Sequence, residues 1–498
     1  MKQLAYLLTS VAILLVFTTC ERLKSLEYIA LEAKFKPTEP VVRVGTVVNF
    51  EQQSPPEVIE QYAWDFGDNT TSVERTPKHI YTQIGTYTIK LKVTKANNAV
   101  KETSSKIIVI PLTTTPISAN TTIFSEKLPS GFPAPVDEVG VKTIFAPNAA
   151  FSRYFMVGRK NATGLYVIQT DENRNILWSQ DIKVLINAKI VTTDILYDSV
   201  PNIRAALVIV GYAEYNENDR DNFIISLNPK NGEINWKYTN KSSNSDVYNS
   251  IDIIENNYVA FGNSTTRTTA GTDTKIKIDE FSINNGSLEF STVLNASNSE
   301  VNDAKYVRLD NEGILACTET GIERPMLLRY TNKSQNPTKS YVGNSATNGK
   351  GLGLTKLTNG LYKDYYVLVG ELHYGNKKDS TNAFIALFDK DRVFISMDVL
   401  AMYKESFFDV VEVGNALIVV GTHYNPLSQK DILMARYTIE NNKPKRELLR
   451  LIGGDTDEEA TRLVNDGINN ISILGTIQST NGGFLDMLFL KLNANTLQ

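Results

Sequence analysis

The chain has 498 residues, too many for one compact core, so two or more domains or a repeat array are expected. Its hydrophobic fraction of 42% is ordinary for a globular protein, and 23 Tyr with 20 Phe suit β-structure. A formal charge of −4, with Lys and Arg scattered along the chain, argues against a nucleic-acid partner, which would want a basic surface.

The N-terminus reads "MKQLAYLLTSVAILLVFTTC": one Lys, an apolar stretch, then small residues before Cys20. The apolar run is shorter than the roughly 20 residues of a membrane span and has signal-peptide length. It resembles a bacterial lipoprotein signal of the Bacteroidota type, with "FTT" as a loose lipobox. The resemblance implies a signal peptide over residues 1–19, lipidation at Cys20, a tether over 20–30 and a lipid-anchored place in the cell outer membrane. "ERLKSL" after Cys20 lacks the acidic run of a surface-export signal, so the surface and periplasmic faces both stay open. With Cys20 acylated, Cys317 is the remaining thiol and no intrachain disulfide forms. Cys317, with no His near it in sequence, is expected to be a small buried residue.

Residues 31–111 hold short strands with alternating apolar and polar residues, such as "VVRVGTVVNF", "GTYTIKLKVT" and "SSKIIVI". That is the pattern of a sandwich with one face of each sheet buried. Within it, "WDFGDNTTSVERTPKHIYTQIGTYTIKLKV" resembles the PKD domain, an immunoglobulin-like fold. The matching residues are Trp64, Asp65, Phe66, Gly67, Asp68, His79, Tyr81, Gly85, Thr86 and Tyr87. The resemblance implies a structural role for Asp65, Asp68 and His79, and a spacer or adhesion module. A Thr/Pro-rich linker follows over residues 112–120.

Beyond the linker a strand with a central small residue recurs, as in "LVIVGYA", "YVLVGEL" and "ISILGTI". The small residues are Gly158, Gly211, Gly262, Cys317, Gly370, Gly421 and Gly475, spaced 53, 51, 55, 53, 51 and 54 apart. Each unit carries four strands, which is the signature of β-propeller blades. The expected fold is therefore all-β: an immunoglobulin-like β-sandwich followed by a seven-bladed β-propeller over 121–498. The last unit lacks a fourth strand, and the orphan "TTIFSEKL", residues 121–128, is expected to pair with "LDMLFLKL" and close the last blade. The last unit also resembles a repeat common in secreted and surface proteins of Bacteroidota, to which no single activity is attached.

The chain contains three His and none of the zinc, P-loop, GxSxG or HExxH motifs. "GKGLGL", 349–354, precedes a strand and opens no helix, so it is discounted as a phosphate loop. "NENDRDN", 216–222, and "GGDTDEE", 453–459, have Ca²⁺-loop composition without EF-hand grammar, and no cofactor is otherwise implied. The ends of the second strands are rich in Tyr and His: Tyr212, Glu214 and Tyr215, His373 and Tyr374, His423 and Tyr424. Rings with a polar tip suit sugar or peptide surfaces, and the competing reading packs these side chains between blades. The expected function is a non-enzymatic, monomeric envelope lipoprotein that binds a glycan or protein ligand. The alternative is a polysaccharide hydrolase or lyase with its site at the propeller axis.

Overall fold

The computed structural model describes residues 30–497, apart from 111–120, 125–137, 147–152, 201–203, 296–298, 308–311, 320–322, 332–335, 374–380, 426–428, 454–456, 479–484 and some isolated positions. Cys20, the signal segment and Tyr374 fall outside it. The chain divides into two compact units, Met1–Leu112 and Thr113–Gln498.

In the first unit a three-stranded sheet (Phe35–Pro37, Val47–Gln52, Lys78–Ile80) accompanies a five-stranded one. The latter runs Val41–Arg43, Val100–Ile110, Gly85–Thr94, Gln61–Asp65, Thr71–Ser72. Alternation along Gly85–Thr94 sends Ile89, Leu91 and Val93 inward against Val48, Phe50, Trp64 and Phe66. The polar residues of the motif hold the turn that follows Trp64. Asp65 Oδ1 accepts the Gly67 N–H at 2.9 Å, and Gly67 has φ 81°, where an added Cβ would meet the Thr88 carbonyl oxygen at 2.8 Å. Asp68 accepts from Thr70 N at 3.1 Å and faces His79 Nε2 at 2.7 Å. The His79 ring stacks on Phe66 with centroids 4.3 Å apart, and the Tyr81 hydroxyl donates to the Phe66 carbonyl at 3.0 Å. Both aspartates therefore serve the turn.

The second unit consists of seven four-stranded antiparallel sheets. Blade 1 runs Glu138–Ala146, Arg153–Lys160, Gly164–Asp171, Ile176–Lys183, and blades 2 to 6 repeat the order through Ile452. Blade 7 contributes Glu458–Gly467, Asn470–Gln478 and Leu485–Asn493, and its fourth strand is Thr121–Phe124. The pairing sets Met487 opposite Phe124 and Leu490 opposite Thr121. First strands of successive blades are neighbours, as are those of blades 7 and 1, so the ring is closed. Apolar clusters straddle the blade boundaries: Leu165, Val167, Ile209 and Phe223 between blades 1 and 2, and Tyr154, Met156, Leu474 and Phe489 between 1 and 7.

One backbone irregularity recurs in every blade. Each first strand carries a β-bulge, and the extra residues are Val141, Thr193, Asn249, Asn302, Leu352, Phe408 and Thr461. The residue opposite the start of the bulge is always the small residue of the repeat. Gly211, for example, pairs with Thr192, and Gly421 with Phe407. The bulge drives a first-strand carbonyl onto that position. A Cβ on Gly158, Gly211, Gly262, Gly370, Gly421 or Gly475 would lie 1.8–2.1 Å from a carbonyl oxygen of the first strand. In six of the seven blades the recurring residue, one every fifty or so positions, thus meets a steric requirement. In blade 4 the position is taken by Cys317, which is fully buried, with its thiol pushed up by burial.

The bulges also join the blades. The Thr193 hydroxyl donates to the Tyr248 carbonyl at 2.7 Å, Asn249 Nδ2 to Val301 O at 2.6 Å, and Asn302 Nδ2 to Gly351 O at 2.7 Å. Asp194, just after its bulge, accepts Ile251 N–H of the next blade at 3.0 Å, and Asp409 accepts Leu463 N–H at 3.1 Å. The stretch "GKGLGL" lies in the bulged first strand of blade 5, where an added Cβ at Gly353 would meet Phe408 O at 2.5 Å.

Two outcomes test this account. Gly421→Ala should cost about 1–3 kcal/mol or more in chemical denaturation, because its Cβ meets a backbone oxygen. Gly313→Ala, whose Cβ would meet the Tyr330 ring at 3.3 Å and no backbone oxygen, should cost clearly less; equal losses would contradict the bulge argument. A chain beginning at Pro129 should melt lower and aggregate more than one beginning at Thr113, because the edge of Leu485–Asn493 is then bare.

Candidate functional site

The strands are laid out so that the start of each first strand and the end of each second strand reach the same face of the ring. The bulge sets which side chains turn toward the axis there. Val139, Val141, Thr193, Asn249, Asn302, Glu459, Arg462 and Thr476 line an axial cavity of about 300 Å³. Arg462 of blade 7 crosses it, donating to the Phe408 carbonyl at 3.5 Å and to Asn302 O of blade 4 at 3.3 Å.

Two residues before the bulge the first strands present Val139, Val191, Val247, Glu300, Lys350, Ser406 and Glu459, by the alternation of the strand. At this one position the first strands are therefore apolar in blades 1 to 3 and polar in blades 4 to 7. On the polar side a network crosses three blades. Glu371 accepts from Ser406 Oγ at 2.5 Å, faces His373 Nε2 at 3.2 Å, and lies 3.4 Å from Lys350 Nζ. His373 Nδ1 faces Glu323 at 3.2 Å, so each ring nitrogen meets a carboxylate.

Glu371 of this network and Glu300 of the same mouth are driven in opposite directions. Burial pushes Glu371 up, but hydrogen bonds from His373 and Ser406 and the charge of Lys350 more than offset it, holding the carboxyl at about 2. Glu300 reaches solvent but has protein around it in the mouth, and desolvation raises its carboxyl against the pull of Lys350 and Arg220, with Glu323 adding to the rise.

On blade 2, Glu214 receives Arg220 Nη2 at 2.7 Å and Nε at 2.9 Å, with Lys189 Nζ at 3.3 Å. Desolvation raises the Glu214 carboxyl, and these hydrogen bonds bring it below its ordinary value. The Arg220 guanidinium also sits 5.3 Å from the centre of the half-buried Tyr212 ring. Tyr215 is exposed.

The two histidines singled out in the sequence do not share a position. His373 stands three residues after Gly370, and His423 two after Gly421. One residue of offset puts them on opposite faces of their strands. His423 takes the interblade packing position held by Leu372 in blade 5; it is fully buried, with Nδ1 3.0 Å from the equally buried Glu405. The residue in register with His373 is Tyr424, exposed and lying under Lys404 Nζ at 5.2 Å. Sequence reasoning missed Glu300, Lys350, Glu371, Glu323 and Ser406. The signal for Glu371 was available, since it directly follows the repeat glycine and must point away from the packing face. Glu300, Lys350 and Ser406 needed the bulge to be known.

In the second acidic loop Glu459 pairs with Lys430 of blade 6, and Asp457 accepts the Lys430 N–H at 3.0 Å. Among the described residues no group of three or more His, Cys, Asp or Glu is arranged to hold a metal ion.

Residues 34–110 match the family described as PKD domain, and the chain carries that domain. Collagenase ColA of Bacillus cereus is 42% identical over 48 residues, 10% of this chain and 5% of that protein. The crystallised PKD1 domain of the Vibrio cholerae metalloprotease PrtV is 31% identical, spanning 16% of this chain and 98% of that one at a TM-score of 0.15. A neuraminidase-like protein of bat origin from Guatemala aligns over 76% of this chain and 95% of its own, with 12% identity and a TM-score of 0.38.

The Glu371 carboxyl lies below its unperturbed value of 4.5, so its partners stabilise the fold fully above that pH. The contribution should fade as pH falls from about 4.5 to about 2. Stability measured across that window should drop less steeply in Glu371→Gln than in the natural chain. Parallel curves would show that the network contributes nothing.

Proposed function

We propose that the chain is a lipoprotein of the cell envelope, anchored in the outer membrane through Cys20, that binds a glycan or protein ligand at the mouth of its propeller. The observation that supports the reading most is that the polar groups of the mouth are already fixed by one another. Glu371 is held by Ser406, His373 and Lys350, and Glu214 by Arg220 and Lys189. Side chains ordered before a ligand arrives lose less rotamer freedom on association. Tyr212, Tyr215 and Tyr424 add aromatic area with polar tips, and the PKD unit acts as a spacer. In this reading the protein works as a monomer and without a cofactor.

One observation favours a second reading, a polysaccharide hydrolase or lyase working at the axis. Glu300 is raised and Glu371 lowered at the same mouth, and two carboxyls pushed in opposite directions are what acid–base chemistry requires.

Cell fractionation should find the chain in membranes and Cys20→Ala in the soluble fraction; a membrane-bound variant would overturn the anchor. On a glycan array the Tyr212→Ala, Glu371→Gln chain should lose about tenfold in affinity for whatever the natural chain binds. New reducing ends from polysaccharide, absent with Glu300→Gln, would select the second reading.

A further inference from the structure

On the far face of the ring, where first strands end and second strands begin, the connection in blade 5 is longer than in any other blade. In blades 3, 6 and 7 two residues join the first and second strands, as Gly414 and Asn415 do between Glu405–Val413 and Ala416–Asn425. Blade 5 uses nine, residues 357–365, between Asn348–Lys356 and Tyr366–His373. This loop is firmly built. Asp364 N–H donates to Leu357 O and Leu357 N–H to Tyr365 O, both at 2.9 Å, and Lys356 Nζ lies 2.8 Å from Asp364.

The loop is also fastened to blade 6. The Glu412 carboxylate accepts from Thr358 N–H at 2.7 Å, Thr358 Oγ at 2.6 Å and Asn359 N–H at 3.2 Å. The Asn442 N–H donates to the Tyr362 hydroxyl at 3.0 Å, and Ser396 Oγ to Asn442 O at 2.6 Å. Asn441 and Asn442 have φ 50° and 61°, the left-handed pair of a tight hairpin, which holds that turn in place. Between these fastenings lies a pocket of about 560 Å³, lined by Asn359, Leu361, Tyr362, Asn415, Asn441 and Asn442 among others. Leu361 stands at its lip, 87% exposed.

The lining mixes apolar side chains with four amides, Asn359, Asn415, Asn441 and Asn442, and each amide carries a donor and an acceptor suited to a hydroxyl group. The one carboxylate, Glu412, spends its oxygens on the loop backbone and Thr358, and no Lys or Arg lines the pocket. Such a site offers no countercharge to a phosphate or a sulfate. Tyr362 and Leu361 supply the apolar area that the C–H face of a sugar ring covers. We propose that this pocket between blades 5 and 6 binds an uncharged saccharide, independently of the axial mouth on the opposite face.

Saturation-transfer NMR of the full chain in detergent, with maltose, cellobiose, lactose and N,N′-diacetylchitobiose as probes, tests it. At least one disaccharide should bind, glucose 6-phosphate should bind no better, and Leu361→Ala with Asn415→Ala should weaken binding about tenfold at an unchanged melting temperature. Both positions are exposed, so the fold survives the change. Silence from all four sugars, or binding that ignores these substitutions, overturns the site. Loss in Tyr212→Ala instead would assign the sugar to the axial mouth and overturn it equally.

Discussion

The close approach of a first-strand carbonyl to a small residue, a glycine in six of the seven blades, is the constraint on which the propeller depends. Without the bulge the first strand would run straight into its neighbour's register, and the bulge residues would not reach the next blade. With it, Thr193, Asn249 and Asn302 each bond the following blade, and Asp194 and Asp409 take up its amides. The apolar clusters between blades then close over a backbone already fixed in position. A bulge inserts one residue without changing the strand count, so the same device repeats around the ring while loops differ freely.

That constraint also explains what could be read from the sequence. A steric demand at one residue per blade leaves a mark at that residue, and Gly158 through Gly475 carry it at nearly even spacing. The PKD motif is legible for the same reason: Asp65, Gly67, Asp68 and His79 each meet a local geometric need within a few residues of one another or across one turn. The mouth of the ring is different. Glu371, Lys350, Ser406 and Glu323 come from three blades, and no local requirement marks any of them. His423 misled because side chains two and three residues after the glycine point to opposite faces of the strand, although the two sequences look alike.

The mouth is chemically lopsided around a backbone that is nearly symmetric. At one first-strand position valines in three successive blades face polar residues in the next four, and Arg462 ties blade 7 to blade 4 across the axis. A symmetric scaffold with an asymmetric lining orients what it contacts, since a partner placed wrongly would set polar groups against the valines.

The seam at Thr121–Phe124 has a consequence for assembly. Phe124 pairs with Met487, so the contact closes a loop of 487 − 124 = 363 residues. For a flexible chain the logarithmic closure entropy at that length is about 5 kcal/mol, more than four pairs of strand residues repay alone. Once the intervening blades have folded, however, their curvature has already brought the two ends together and little of that entropy remains to be lost. The seam is then the last element to order and the first to let go. Whatever steadies the segment ahead of residue 121 sets how long the ring stays shut.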